Sequence, residues 1–539
     1  MQVRRWLSIG LATVLVVSCA PAAAPAPPAA PAGSAAPAAI NNDPTAILKY
    51  DGMQTRSLDP IVIGNACDVT ILSAIFDTLI FLDSANTPKP GLAVSWTLPD
   101  PSTLELKLRD GVKFQDGTPF NAEAAKFNLD RARGDAASTI KSDLGSVTSV
   151  DVIDPLSIRI KMSPPSPASI LAILAGRAGM MASPTAVKAA GSSAAFSKAP
   201  VGAGMYKISG EWRPTESASV RAWDGYWDKT AALLGGVDYR DIAASASMNA
   251  LKSRDNDVSG FPTSPGILDT IRQDPKLIGL SNSTGGYRFF IINSSLAPFD
   301  NVKVRQALQH AIDREAIAKA QTGGIAEPAW SAFPKGNMAY NPELAGLYPY
   351  NPAKAKQLLS EAGYPNGLSF EAAIGRTSTS YVQTGELVQA QLKLAGFDMK
   401  LNLIEPALVV PSMYRGGANN HGTLQASPLG MFDTPDPDIL VRNRYVANGP
   451  FNPGGVELPG LKVLADQAVA IVDPAKRAEI YKKVTRMIAD AAVDGVPLWF
   501  EPAVMGFQNY VGGINNARVR CTDNVRGVYI TKGKVPAPR

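Results

Sequence analysis

An alanine- and proline-rich stretch near the amino terminus separates a short leader from a long globular sequence. Residues 20–39 are nearly all Ala and Pro, a composition that cannot build a core and favours extended polyproline geometry. The sequence that follows is too long for a single hydrophobic core, so we expect at least two lobes. Apolar residues make up 45% and charged residues 18% of the chain, which is typical of a globular protein and argues against bulk disorder.

The leader has the order of a bacterial secretory signal. Arg4 and Arg5 precede an apolar run over residues 6–17, which is too short for a permanent transmembrane helix. Ser18 and Cys19 follow, and the residues around Cys19 are similar to a lipobox, in which the cysteine is acylated. We predict a signal peptide over 1–19 and a tether over 20–42, and hence a periplasmic or cell-surface lipoprotein. The alternative is an ordinary secretory peptide with a chance cysteine.

The distribution of charge and apolar residues limits the partners. The formal net charge of +5 is small for this length, and Lys and Arg are interspersed with Asp and Glu, so we expect no nucleic-acid partner. Beyond the leader, no segment offers eighteen consecutive apolar residues, so the acyl chains should provide the only membrane attachment.

A search for catalytic and metal-binding patterns is almost negative. The two histidines, His310 and His421, stand in no zinc or triad spacing, and no P-loop, HExxH, CxxC or G-x-S-x-G pattern occurs. Ser138 and Lys141 give S-x-x-K, the nucleophile spacing of penicillin-interacting enzymes, without the companion patterns. We therefore expect no catalytic residue, metal or cofactor, and an exported cell-wall enzyme is the disfavoured alternative from another functional class.

Periodicity predicts strands in the first half of the chain and a mixture of helices and strands in the second. The predicted strands are 46–50, 104–108, 147–152, 156–162 and 400–404. The predicted helices are 69–82, 301–319, 352–362, 381–395 and 474–492. The pattern indicates an α/β protein with a β-rich first lobe.

Three groups of residues occur in a characteristic order. The first comprises FDTL (76–79), PGLAVSW (90–96), LRDGVKFQDG (108–117) and PFNA (119–122). The second is PVGAGMYK (200–207), and the third is PFDNVKVRQAL (298–308) with AIDRE (311–315). Together they resemble the extracytoplasmic solute-binding proteins of family 5, which serve peptide and nickel ABC importers. The resemblance covers residues 44–532.

The resemblance implies an α/β, two-lobed, hinged periplasmic-binding-protein fold of type II, in the large cluster with an extra subdomain in lobe I. Lobe I should comprise 43–286 and a carboxyl-terminal return over 496–539, with lobe II inserted over 287–495. The two crossovers should lie near 287–293 and 496–502, where short apolar runs have strand character.

The same resemblance implies a ligand site in the cleft between the lobes. In peptide-binding members, an aspartate just before an Asp-Pro-Asp-like turn pairs with the peptide ammonium group, and MFDTPDPD (431–438) matches that layout. Phe432 and Asp433 therefore become candidate ligand contacts, although a turn-capping carboxylate is the alternative for Asp433. Many relatives carry tryptophan where this chain has Gly430, so one wall of the pocket should differ.

Three further contacts are implied by position. Arg376 is near the place of a residue that binds the peptide carboxylate, with a surface arginine as the alternative. Tyr287 and Asn65 are expected at the cleft. Cys67 and Cys521 would both belong to lobe I, where they form either a disulfide or two buried free thiols.

These observations predict the substrate-binding component of an ABC importer, which acts as a monomer and delivers a di- or oligopeptide to its permease. A non-peptide amine, an opine or an aromatic solute is the alternative within the same fold. Nickel is a weak candidate, because neither histidine is clearly placed at the cleft.

Overall fold

The computed structural model describes residues 40–52, 55–62, 69–83, 87–163, 165–261, 265–414, 422–432, 434, 436–447, 449–471, 473–493, 495–514 and 524–537. The predicted leader and most of the tether lie outside these residues, as do Cys19, Asn65, Cys67, Asp433 and Cys521. Residues 42–539 fold together. Within the described residues, no helix combines the length and apolar character needed to cross a bilayer.

The first half of the chain is rich in strands, as the sequence predicts. Its strands are β1 (Ile47–Asp51), β2 (Ile80–Leu82), β3 (Pro88–Pro90), β4 (Ala93–Asp100), β5 (Thr103–Leu108), β6 (Val147–Asp154), β7 (Ser157–Met162), β8 (Tyr206–Ile208), β9 (Ser217–Ala222), β10 (Gly236–Arg240) and β11 (Val258–Phe261). Its helices are α1 (Val69–Ile75), α2 (Ala122–Gly134), α3 (Pro167–Ile173), α4 (Pro184–Ala190), α5 (Ser193–Lys198), α6 (Ala244–Ser253) and α7 (Ile267–Arg272).

The second half alternates helices with longer strands. Its strands are β12 (Leu277–Ile292), β13 (Leu368–Gly375), β14 (Phe397–Ile404), β15 (Ala426–Phe432), β16 (Val496–Gln508), β17 (Val511–Gly512) and β18 (Tyr529–Ile530). Its helices are α8 (Val302–Ala311), α9 (Arg314–Thr322), α10 (Pro352–Glu361), α11 (Thr379–Leu394), α12 (Pro406–Tyr414), α13 (Pro437–Tyr445), α14 (Leu461–Ala470) and α15 (Pro474–Ala491).

Within the described residues, one mixed sheet of ten strands runs through both lobes, in the order β14-β13-β15-β12-β16-β11-β1-β10-β9-β8. Lobe I is built on β8–β11 and β1 at one end, and lobe II on β13–β15 at the other. Strands β12 and β16 pair with each other along most of their length and so join the two lobes. The predicted boundary at 286/287 falls inside β12 and the one at 495/496 at the start of β16. The domain limits stay a prediction, because β12 is continuous across the first of them.

A second, antiparallel sheet of four strands, β4-β5-β7-β6, stands apart from the large sheet. Leu104, Leu106 and Leu108 of β5 point with Ile158 and Ile160 of β7 into a separate apolar core that also buries one face of α2. This is the extra subdomain of lobe I that the resemblance implies. Its helix α3 lies against α14 of lobe II, so the lobes meet there as well as along β12 and β16.

Two predicted helices are shorter in the structure, for identifiable reasons. The pattern over 301–319 continues through residue 312, but Asp313 caps a new helix, its side chain accepting a hydrogen bond from the Ala316 N–H at 3.0 Å. The segment is therefore two helices, α8 and α9. The helix predicted over 69–82 ends at Ile75, and its remainder turns into β2.

Two glycines of the PVGAGMYK motif let the backbone approach the end of α1. A Cβ on Gly202 would lie 2.2 Å from the Ile75 carbonyl oxygen, and one on Gly204 would lie 2.4 Å from the Ile75 carbonyl carbon. Gln115 fixes this junction, since its Nε2 donates to the Ile75 oxygen at 3.0 Å and its Oε1 accepts from the Gly202 N–H at 3.0 Å. The two glycines therefore serve close packing of the backbone against the end of α1.

The carboxyl-terminal segment packs on lobe I through a buried polar cluster around Asp77. The Asp77 carboxylate accepts hydrogen bonds from Trp227 Nε1 at 2.7 Å and Tyr226 Oη at 3.0 Å. Arg526 donates to Tyr226 Oη at 2.6 Å and also pairs with Asp228. Burial raises the pKa of Asp77 to about 6, against the opposing effects of Arg526 and the two hydrogen-bond donors.

We expect Asp77 to make the stability of the protein fall as the pH rises from 4 to 6. Its folded-state pKa lies above the ordinary value of 3.8, so the folded state holds the proton more tightly, and that advantage is complete below pH 3.8 and lost as the pH passes 6. Over this pH range, protonation of Asp77 should change the free energy of unfolding by up to about 3 kcal/mol, at about 1.4 kcal/mol per pH unit, and Asp77→Asn should remove this change. Urea unfolding at several pH values measures the slope.

Some slope should remain in the variant, because burial also raises the pKa of Asp438 to about 6. An unchanged pH dependence in Asp77→Asn would contradict the assignment to Asp77.

Candidate ligand site at the sheet edge

Three parallel strands of lobe II end at one edge of the large sheet. Strand β13 runs parallel to β14, with Gly375 opposite Ile404, and parallel to β15, with Ala372 opposite Ala426. The residues that follow these strands in the sequence are Arg376, Glu405 and Asp433. Ligands of open α/β sheets bind at the carboxyl ends of parallel strands, so the topology points to this edge as the binding site.

The edge carries an exposed ion pair between Arg376 and Glu405. The two side chains are 57% and 52% exposed, and the Arg376 N–H donates to the Ile404 carbonyl at 2.9 Å. An ion pair this exposed contributes little to stability. Arg376 is therefore a cation that solvent and a ligand can reach, and its assignment to a peptide carboxylate stays a prediction.

Tyr287 lies at the same edge but is buried. It is 2% exposed, its ring stacks on Phe289 at 4.9 Å, and its hydroxyl accepts a hydrogen bond from Arg444 of α13. The Arg444 guanidinium lies 4.3 Å from the Phe289 ring. The structure thus brings Tyr287 to the predicted site within an aromatic layer, and direct contact with a ligand stays a prediction.

The remaining predicted contacts are described only in part. Phe432 ends β15 opposite Gly286 of β12, which places its backbone at the edge. Asp433 and Asn65 lie outside the described residues, as do Cys67 and Cys521 of the suggested disulfide. Their roles stay predictions.

Asp436 caps the helix that follows the edge. Its side chain accepts a hydrogen bond from the Asp438 N–H at 2.9 Å and forms an ion pair with Arg477 of α15, with N–O distances of 2.9 and 3.0 Å. Arg477 and Asp436 are 2% and 4% exposed. The start of α13 is thereby tied to the core of lobe II, and Asp436 is its N-cap.

A second Arg–Glu pair, which the sequence analysis missed, lies beside this edge. Arg288 of β12 donates from Nε to Oε2 of Glu501 at 2.7 Å, and Trp499 Nε1 donates to the same oxygen at 3.3 Å. The Arg288 guanidinium also lies 4.6 Å from the ring of Tyr381, in the first turn of α11. A signal was present in the sequence, because Arg288 and Glu501 are each the one charged residue in an apolar run, 287–292 and 496–505.

The two residues of the S-x-x-K pattern are not on a helix. Ser138 and Lys141 lie in the irregular connection between α2 and β6, and the Ser138 hydroxyl donates to the Ala132 carbonyl at 2.7 Å. The pattern therefore lacks the shared helical face that its chemistry requires.

A family model described as bacterial extracellular solute-binding proteins, family 5, matches residues 87–451. The glutathione-binding protein GsiB of Shigella flexneri is 30% identical over 489 residues, which cover 89% of this chain and 90% of that protein. The chain belongs to family 5. The resemblance drawn from its motifs is confirmed.

Solved structures show the same architecture as this family 5 protein. The periplasmic binding protein DppA of Helicobacter pylori, in complex with the peptide STSA, matches with a TM-score of 0.76 and 23% identity, over 91% of this chain and 99% of that one. The binding protein AgaA of A. tumefaciens R10, in complex with agropinic acid, matches with a TM-score of 0.74 and 24% identity, over 90% and 98%. The two-lobed α/β fold is confirmed.

Proposed function

We propose that this family 5 protein captures a di- or oligopeptide between its lobes and delivers it to an ABC permease. The observation that carries the proposal is the common edge of β13, β14 and β15, after which the sequence continues with Arg376, Glu405 and Asp433. One edge thus combines cationic and anionic side chains, as recognition of a zwitterionic peptide requires.

The chemistry assigns a role to each charge. A peptide ammonium group that leaves water for a closed cleft needs a carboxylate partner, which Asp433 supplies, since an unpaired buried charge costs several kcal/mol. A peptide carboxylate is matched by the planar, two-pronged donor set of Arg376, which forms an exposed ion pair with Glu405. Tyr287, Phe432 and Asn65 complete the lining.

Closure of the lobes supplies the signal to the permease. A peptide that contacts both lobes only when they are closed shifts the population towards the closed form, by as much as it binds that form more tightly. We infer that the lobes move about the paired strands β12 and β16, which connect them. Helices α3 and α14 are a second point at which the lobes are in contact. The cycle makes and breaks no covalent bond.

The amino-terminal sequence fits an exported lipoprotein. Acylation of Cys19 would anchor the protein, and the tether over 20–42 would let the binding body reach a permease in the same membrane. We propose that it does so as a monomer.

A second candidate ligand is a non-peptide amine such as an opine. Gly430, where many relatives carry tryptophan, favours it, because the altered wall need not suit a peptide side chain. The likeness to AgaA, whose complex contains agropinic acid, points the same way.

Identification of the natural ligand separates the two candidates. We expect native mass spectrometry of the purified protein to find a bound di- or oligopeptide, and calorimetry with synthetic peptides of two to five residues to reproduce the binding. A co-purified opine, together with no heat signal from any peptide, would overturn the peptide assignment and keep the binding-protein function.

A further inference from the structure

Gly430, which has no side chain, lies beside the Arg288–Glu501 ion pair. Gly430 of β15 is directly opposite Arg288 of β12, and Arg288 is opposite Trp499 of β16. A Cβ on Gly430 would lie 3.2 Å from Tyr381 Oη and 3.3 Å from both Cδ and Nη1 of Arg288. Arg288 and Tyr381 thus fill the space that a side chain at Gly430 would need.

The Arg288 side chain is held in one orientation. Glu501 accepts from Nε at 2.7 Å and from Nη2 at 3.4 Å, so the carboxylate faces one edge of the guanidinium. The Tyr381 ring covers one of its faces at 4.6 Å. Register shifts in the β12–β16 pairing occur on both sides of Arg288, before Tyr287 and before Phe289, and such bulges re-aim side chains at binding sites.

The fixed guanidinium still has donors to offer. Its Nη1 lies on the side of Gly430, away from the Nε–Nη2 edge that Glu501 occupies, and the side chains of Arg288 and Glu501 are 21% and 24% exposed. Among the described residues, Glu501 is the only carboxylate in an ion pair with Arg288. A guanidinium has five N–H donors, so it can donate hydrogen bonds to a second carboxylate on another edge.

We propose that Arg288 is a specificity-determining residue that selects a solute with an additional carboxylate, such as a peptide with an acidic side chain. The inference rests on the proposed peptide function and specifies its substrate class. Arg288 lies two residues after Gly286, which is opposite Phe432 at the binding edge, and it is opposite Gly430 of β15, three residues before Asp433. Tyr381 and Glu501 are positioning residues, because Glu501 accepts from the Nε–Nη2 edge and the Tyr381 hydroxyl is a second hydrogen-bond partner of the guanidinium, which keeps further N–H donors.

Glu501 also limits the size of the effect. It offsets part of the positive charge of Arg288. The difference in binding free energy between an acidic ligand and its amide should therefore be about that of one charge-assisted hydrogen bond. We expect the wild-type protein to bind a peptide containing Glu about ten- to a hundredfold more tightly than the same peptide containing Gln.

Calorimetry with matched pairs of ligands tests the proposal. The pairs are di- and tripeptides that differ only in Glu against Gln, and an opine with its mono-amide, measured with the wild type and with Arg288→Gln. The preference for the acid should fall to within about twofold in Arg288→Gln, whereas the affinity for the amide ligand should change little. The double variant Arg288→Gln/Glu501→Gln, which leaves no unpaired charge on the strands, should behave in the same way.

A matched control is Arg221→Gln, which breaks the cross-strand pair with Asp238 (2.8 Å) at the other end of the same sheet. It should keep the full preference for the acid. If the wild type bound the Glu peptide and the Gln peptide with equal affinity, the role of Arg288 would be overturned and the peptide function would stand. Binding of no peptide, with equal affinity for the opine and its amide, would overturn both.

Discussion

Arg477→Met should lower the free energy of unfolding by about 3–5 kcal/mol, because it leaves the buried Asp436 carboxylate without its ion-pair partner. Arg477 is 2% exposed, and besides Asp436 it donates to the Ala468 carbonyl at 3.0 Å and to Tyr481 Oη at 3.3 Å. One side chain therefore joins α13, α14 and α15. Chemical denaturation followed by circular dichroism measures the loss.

The same helix provides a control. Arg486 forms an exposed ion pair with Asp490, at 46% and 52% exposure, so Arg486→Met should change stability by less than about 1 kcal/mol. The double variant Arg477→Met/Asp436→Asn should recover part of the loss, since no uncompensated charge remains. If both single variants lowered the free energy of unfolding by the same amount, the buried ion pair would contribute no more to stability than the exposed one.

Asp433→Asn should weaken the binding of a peptide with a free amino group by about 2–5 kcal/mol, which is roughly thirtyfold to several thousandfold. The substitution keeps the size of the side chain and removes the charge that we assign to the peptide ammonium group. Calorimetry with the peptide found in the purified protein measures the change. Binding of the N-acetylated peptide, which has no ammonium group, should be weak in the wild type and nearly unchanged in the variant.

A matched aspartate lies at the opposite edge of the same lobe. Asp398 is exposed, near the start of β14, so Asp398→Asn should bind the peptide like the wild type. If Asp433→Asn also kept the wild-type affinity, Asp433 would be a turn residue, and the ammonium site would have to be sought elsewhere in the cleft.

Local patterns predicted the elements whose limits are set by neighbouring residues. Helices α10 and α15 begin where predicted, because Asn351 and Asp473 cap them and a proline follows each cap. The β6–β7 hairpin turns at Asp154, whose side chain accepts from the Leu156 N–H at 2.7 Å. The prediction over 69–82 failed because Asp77, in the middle of an apolar run, is held by tertiary partners that lie 149 and 150 residues away.

The site was predictable to the extent that motifs mark it. Arg376 was assigned by resemblance and Tyr287 by position only; both lie at the edge formed by the ends of the parallel strands, and their contact with a ligand stays a prediction. The Arg288–Glu501 pair was missed because its partners are 213 residues apart, and no local pattern links them. Only the pairing of β12 with β16 brings them together.

Strand β16 completes the sheet late. It lies between β11 and β12, yet it begins only at Val496, whereas β12 already ends at Ile292, so it is synthesised long after both of its neighbours. Until they emerge, both neighbouring strands keep an open edge of unpaired backbone groups, which is the kind of edge that aggregates. Pairing of the two lobes through the sheet must therefore wait for β16, and until then the open edges of β11 and β12 are a target for a chaperone.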